Sequence, residues 1–291
     1  MTHGDQGGWT PSPVARERAA FRAGRRRRSF LLALGSTLVL VVAAVLVVVT
    51  SPGWERTRSS FFDLDVATEV LPGLLEGLWL NVRVWVITVV VALLLGLGLA
   101  ILRTSASPVL FPLRALAAAY VDVFRGLPLL LVLLLVGFGL PSLRLSWLPI
   151  DAVYLGTGAI VLTYTAYTAE IFRSGIGAVH PAQLTAARAL GLTRWQTTRR
   201  VVVPQAVRNT TPALLNTVVS LQKDSGLISI LGAVDAIRAA QIEVTGAYNF
   251  TPYVVAGVLF LLISIPLTRA VDAYSERRGW GATRPAAGVA R

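Results

Sequence analysis

The chain has 291 residues, 54% of them hydrophobic and 14% charged, with a mean hydropathy of +0.65 and a formal net charge of +12. Several uncharged stretches are long enough to cross a hydrocarbon core of about 30 Å, which takes roughly 20 helical residues, so the composition excludes an ordinary soluble domain and indicates an α-helical membrane protein. There is no cysteine, hence no disulfide framework and no thiol chemistry.

Residues 1–29 form a basic tail that ends in four consecutive arginines, 25–28, and 30–50 is the first predicted span. Its 21 uncharged residues exceed a signal-peptide core, and no small-residue cleavage site follows, so it is expected to stay in the chain. Further spans are predicted at 80–102, 115–140, 153–172, 212–231 and 252–268, making six. Basic residues in short loops remain on the cytoplasmic side. With the N-terminus inside, segments 1–29, 103–114, 173–208 and 269–291 hold twenty of the 27 Lys and Arg, while the outer loops hold only Arg56, Arg58, Arg144 and Arg238. Both termini are therefore predicted to be cytoplasmic, in the cell membrane. This sidedness accounts for nearly all of the net charge and argues against a nucleic-acid partner.

The outer segment 69–79 contains Glu76 and lies beside Arg83, which is placed to snorkel. It reads as a surface for a soluble binding protein or as ordinary solvated charge. In the third span Asp122 and Arg125 stand three apart on one helix face, next to Gly126 and Pro128, which open or kink a helix. They are either pathway residues or a structural ion pair. Glu170 falls near the cytoplasmic end of its span.

The longest internal loop, 173–208, is punctuated as two short helices. Pro181 suits a first helical position, the following residues are good helix formers, and Gly191 supplies a left-handed cap. Thr193 with Gln196 forms a capping-box pattern that opens a second helix, which Pro204 stops or bends. In the next span Lys223 and Asp224 fall near mid-membrane and precede Ser225 and Gly226, a helix-weakening pair. An ionisable residue at the centre of a membrane helix costs at least about 2.5 kcal/mol unless it faces protein or water, and irregular backbone at that depth must be buried in protein or line a cavity. A translocation or gate role competes with a structural pairing here. Asn216 and Gln222 add polar groups on the same helix.

Energy must come from elsewhere. The only lysine, Lys223, is set in QKDSG, so there is no phosphate-binding Gly-Lys-Ser/Thr loop. His3 and His180 cannot form a metal cluster, and no Ser-His-acid arrangement is evident, so no enzymatic activity, metal or bound cofactor is expected. ATP, if used, is hydrolysed by a separate subunit. On these residues alone, an ion-gradient-driven secondary amino acid transporter or channel is the alternative.

Ala186 and Ala187, Gly191 four residues later, and Val201, Val202, Val203 and Pro204 beyond resemble the signature of ABC importer permeases. The stretches AAYVDVFRGLPLLLVLLLVGFGLP (118–141), AYTAEIFRSGI (166–176) and PALLNTVVSLQKDSGL (212–227) are similar to permeases of polar amino acid ABC importers, the histidine, glutamine, glutamate and arginine group, and the similarity covers 74–278. It implies an all-α polytopic fold of the type I permease kind. It also implies that 173–208 is a coupling helix pair docking into an ATPase groove through Ala186, Ala187, Leu190, Gly191 and Pro204. The pathway or gate set is then Asp122, Arg125, Glu170, Asn216, Lys223, Asp224 and Ser225. Two departures stand out: Thr185 replaces the family's glutamate, and Ser225 and Gly226 replace its threonine and serine. Implied partners are ABC ATPase subunits, a second permease chain, same or sister, an extracytoplasmic amino acid-binding protein, and membrane lipid. The family core has five spans, so 30–50 is an additional one, a layout similar to actinobacterial glutamate permeases that favours glutamate as substrate. Residues 279–291 form a cytoplasmic tail.

Overall fold

The computed structural model describes residues 12–105 and 107–278, so the predicted tail 279–291 lies outside the described residues. The chain divides into two units, residues 1–59 and 60–291. In the first, α1 (Pro13–Val49) runs for 37 residues. The basic segment read as a tail is thus helical from Pro13 and continues unbroken into the apolar part. As a lone long helix, α1 has no partner of comparable length in its own unit, and its stretch Arg28–Val49 is long and apolar enough to cross a membrane. Thr50 and Ser51 close its end by donating their hydroxyls to Leu46 O (2.6 Å) and Val48 O (2.7 Å). The short α2 (Trp54–Phe61) follows.

The second unit is built on α3 (Leu64–Thr104), capped by Asp63, whose carboxylate accepts from Asp65 N–H (3.0 Å) and Val66 N–H (3.2 Å). Its 41 residues make about 62 Å at 1.5 Å each, twice the hydrocarbon thickness, so it starts well before the predicted span 80–102. Its buried stripe, from Leu74 through Gly77, Asn81, Val84, Thr88 and Ala92 to Gly96, repeats every three or four residues as one helix face does. Small residues on that stripe bring α7 (Ala152–Gly177) close: a Cβ on Gly96 would stand 2.1 Å from Thr168 Oγ1, and the Thr168 hydroxyl donates to Ala92 O at 2.7 Å.

Between them the chain forms α4 (Phe111–Gly126), α5 (Leu129–Leu134), a π turn over Leu135–Gly139 and α6 (Leu140–Ser142). The expected span 115–140 is broken, with a bend of 110° between Pro108–Gly126 and Leu129–Ser142. Pro128 is the cause: it lacks an N–H and drives Leu127 out of the helical region to φ −93, ψ 139.

Beyond α7 come α8 (Pro181–Ala189), α9 (Arg194–Thr197), a π turn at Thr198–Val202, α10 (Val203–Asp224), a 3-10 stretch Ser225–Leu231, α11 (Ala236–Ala247) and α12 (Thr251–Arg277). Leu133, Ile160, Leu221 and Ile228 meet Val84 in the main core, so α3, α5, α7, α10 and the 3-10 stretch close around one centre. Among the described residues, Arg28–Val49, Trp54–Thr104 and Thr251–Arg277 are apolar and long enough to span, and the bent pair adds a fourth. The other two predicted spans fall on α7, whose 26 residues make about 39 Å, and on the second half of α10 with the 3-10 stretch Ser225–Leu231, where the expected continuous helix breaks after Asp224; their Thr, Tyr, Asn and Gln side chains make them less apolar. α7 turns twelve residues into the protein interior, where such groups are tolerated better than against lipid.

Candidate functional site

The helix pair in loop 173–208 forms from its own punctuation. His180 caps α8 by accepting from Ala182 N–H through Nδ1 (3.2 Å), ahead of Pro181. At the other end Gly191 adopts φ +78, Leu192 N–H reaches Ala187 O (3.2 Å) and Gly191 N–H reaches Arg188 O (2.9 Å), the two bonds of a Schellman cap. Thr193 Oγ1 accepts from Gln196 N–H (3.2 Å) while Gln196 Oε1 accepts from Thr193 N–H (2.9 Å), completing the capping box.

Two expectations here change. Ala187 is only 4% exposed, whereas Ala186 and Gly191 are open and Leu190 and Trp195 are 82% and 62% exposed. The open face of the helix pair is thus made by Ala186, Leu190, Gly191 and Trp195, and Ala187 belongs to the interior. Pro204 does not stop the second helix. Its ring would meet the carbonyl four residues back in a regular α-helix; instead Val203 N–H bonds to Thr198 O, five back, and the widened turn lets the helix pass on into α10.

Asp122 and Arg125 do not pair. Arg125 Nη1 lies 3.7 Å from Glu170 Oε2, Arg103 Nη1 donates to the same oxygen at 3.0 Å, and Arg173 Nε does so at 3.0 Å. One carboxylate on α7 gathers guanidinium groups from α3, α4 and its own helix, while Asp122 is exposed and has no polar partner among the described residues. Both ends of α4 reach the C-terminal end of α3, because Arg114 donates to Ser105 O and Arg125 shares Glu170 with Arg103.

Lys223 and Asp224 also separate, since consecutive helical residues point about 100° apart. Asp224 Oδ2 accepts from Tyr164 Oη at 2.6 Å. Lys223 faces a cavity of about 800 Å³ along α12, where Tyr253, Ser264, Thr268 and Arg269 are the other polar lining residues. Both charged residues lining that cavity are cationic. Gln222 is buried and accepts from Ser264 Oγ at 2.5 Å, Ser225 is buried and donates to Gln222 O at 2.8 Å, and Asn216 is exposed. Of the predicted pathway set, Lys223, Asp224 and Ser225 lie at the end of α10 with Asn216 further back on the same helix, Arg125 and Glu170 meet beside Arg103 at the end of α3, and Asp122 joins neither group.

The break after Asp224 is held by residues outside the predicted set. Asn81 Nδ2 donates to Ser225 O (3.2 Å) and to Asp235 Oδ2 (2.8 Å), and Asn81 Oδ1 accepts from Ala236 N–H (3.1 Å). Asp235 Oδ1 accepts from Arg238 N–H (2.9 Å) as the cap of α11. One buried amide of α3 therefore satisfies backbone groups on both sides of the break. Burial holds the Asp235 carboxyl above the usual carboxylate range, and the hydrogen bonds from Asn81 and the start of α11 oppose that shift. A polar Asn inside an otherwise apolar span was the available signal for this clip.

Together these features define an all-helical membrane protein with an exposed helix pair and a polar break within its helix core. The chain belongs to the family described as binding-protein-dependent transport system inner membrane component, whose model matches residues 92–279. The arginine transport system permease protein ArtQ of Bacillus subtilis is 33% identical over 207 residues, covering 71% of this chain and 92% of that protein. A putative glutamine transport system permease protein GlnP of Rickettsia conorii is 36% identical over 196 residues, 66% of this chain and 88% of that one. A crystal structure of an amino acid ABC transporter with histidines superposes with a TM-score of 0.66 at 32% identity, covering 74% of this chain and 98% of that chain. The methionine transporter MetNI, inward facing, shares the fold at a TM-score of 0.57 and 19% identity, covering 70% of this chain and 95% of that chain.

Proposed function

We propose that this chain is the membrane permease of an ABC importer for polar amino acids, with glutamate the favoured substrate. The amino acid class rests on relatives that are permeases for arginine and glutamine over most of their length. The leaning to glutamate rests on one observation: the large cavity at the end of α10 carries Lys223 and Arg269 and no carboxylate, while Glu170 occupies Arg125 and Tyr164 occupies Asp224. An acidic side chain entering that cavity meets two cations.

Both termini lie in the cytoplasm in this reading. ATP binding closes two separate ATPase subunits on the surface of Ala186, Leu190, Gly191 and Trp195. The helix pair passes that closure through the continuous π turn into α10, and the pathway between this chain and a second permease, a copy or a sister, switches its opening. A soluble binding protein delivers the amino acid from outside. An ion-gradient transporter has no use for the exposed helix pair, and membership in a binding-protein-dependent family sets that alternative aside.

A second reading, a cationic substrate, is favoured by the free carboxylate of Asp122 and by the arginine permease among the relatives. Competition in radiolabelled uptake by the reconstituted complex separates the two. Excess glutamate is expected to block transport and excess arginine to leave it intact, with Lys223→Met lowering glutamate uptake at least tenfold. Block by arginine alone reverses the assignment.

A further inference from the structure

Between α3 and α11 lies a second cavity, of about 460 Å³, whose charges the reading above leaves unused. Glu76 and Arg83 line it from α3 and Glu243 from α11, with Leu80 and Val234 among the apolar lining. Glu76, Leu80 and Arg83 follow the i, i+4, i+7 spacing of one helix face. None of the three charged side chains has an ion pair or hydrogen bond among the described residues. Three unpaired ionic groups around one recess exclude a lipid tail as occupant, because each would lose its hydration without compensation.

The walls are fixed. A Cβ on Gly77 would stand 2.5 Å from Ala236 N, so α3 and α11 meet backbone to backbone at the edge of the recess. Asn81, next to Leu80, clips Asp235, next to Val234, and the same amide holds Ser225 at the start of the break. The charged side chains therefore rise from two helices of set separation, beside the segment that follows Lys223 and Asp224.

The lining presents one guanidinium and two carboxylates, which is the complement of an α-amino acid head group. A carboxylate fits the fork of Arg83 in bidentate fashion, and an ammonium has three N–H donors to share between Glu76 and Glu243. We propose that this recess is an outer subsite that binds the α-amino and α-carboxylate groups of an amino acid whatever its side chain, so that side-chain selection falls to the Lys223 cavity. The proposal rests on the amino acid import reading and its orientation, and is independent of the preference for glutamate.

The test is ligand-observed NMR on the purified permease–ATPase complex in nanodiscs, without binding protein and in a Lys223→Met background to silence the other cavity. Glutamate, glutamine and arginine are expected to bind with affinities within a few fold of one another. N-acetylglutamate and glutamic acid α-amide, each lacking one head-group charge, are expected to bind at least tenfold more weakly. Arg83→Gln or Glu243→Gln should weaken all three free amino acids by a similar factor. Equal binding of blocked and free ligands overturns the proposal and needs no further variant. So does an Arg83→Gln complex that binds normally but loses stimulation of its ATPase by the binding protein, which would make the recess a protein docking contact. If head-group binding holds but glutamate is not transported, only the substrate preference falls.

Discussion

Glu170 is the residue that ties α3, α4 and α7 together. Its side chain is 20% exposed and that of Arg103 14%, so their 3.0 Å bond is shielded, whereas Arg125 and Arg173, at 41% and 45%, are screened by solvent. Glu170→Gln keeps the shape and removes the charge that three arginines share. A charge-assisted bond is lost and a partly buried guanidinium is left against a neutral amide, at a cost of about 1–3 kcal/mol. Thermal unfolding of the purified protein should show a clear fall in midpoint for Glu170→Gln and none for Asp122→Asn, whose carboxylate has no partner among the described residues. An equal fall in both would mean that Asp122 holds a contact as strong as the Glu170 hub. The sequence placed Asp122 and Arg125 three apart, which gave reason to pair them; long-range competition from Glu170, 45 positions from Arg125, is invisible to any spacing rule.

Among the elements, the helix pair α8–α9 was legible almost to the hydrogen bond, because caps are local and Pro181, Gly191, Thr193 and Gln196 act on neighbours within five residues. What escaped was the side each alanine faces and the π turn that carries the chain past Pro204, since both depend on packing. Ala186→Asp and Leu190→Asp, on the open face, are expected to leave folding intact and abolish co-purification with the ATPase. Ala187→Asp is expected to destabilise the protein itself, because it buries an unpaired charge. Gly191→Asn tolerates φ +78 and meets open space within this chain, so its unfolding midpoint should stay near that of the unmodified protein, while Gly191→Val, β-branched in a left-handed position, should lower it. Co-purification of ATPase with both Ala186→Asp and Leu190→Asp would remove the docking surface.

The break after α10 shows the same division. Ser225 and Gly226 announced a weak helix, and the 3-10 stretch begins there, but nothing in the spacing linked Asn81 to Asp235, 154 residues away. Asn81→Ala would leave Ser225 O, Asp235 Oδ2 and Ala236 N–H without their partner. Each orphaned buried group costs about 1–3 kcal/mol, and the three are not additive. Asn81→Ala is thus expected to lower the unfolding midpoint more than Glu170→Gln does; a variant as stable as the unmodified chain would show that water replaces the clip.

For the whole molecule the open quantity is how the helices cross the membrane, because length and apolarity alone identify three spans and a bent pair, while α7 and α10 meet only the length requirement. Charge supplies what apolarity does not. Twenty of the 27 basic residues fall in the four segments that a six-span path with internal termini puts in the cytoplasm, and turning the protein over would expose all of them to the wrong side. The less apolar α7 is consistent with that path, since it turns twelve residues into the protein interior and needs less lipid-compatible surface. A chain without cysteine allows a direct check, as any introduced thiol is the only one in it. In intact cells a membrane-impermeant maleimide should label Thr57→Cys, Ser146→Cys and Thr245→Cys. Ser107→Cys and Arg194→Cys should react only after permeabilisation. Labelling of Ser29→Cys from outside would take the extra first span out of the membrane and leave the other five in place, whereas labelling of Arg194→Cys from outside would invert the permease and move the coupling pair away from any source of ATP.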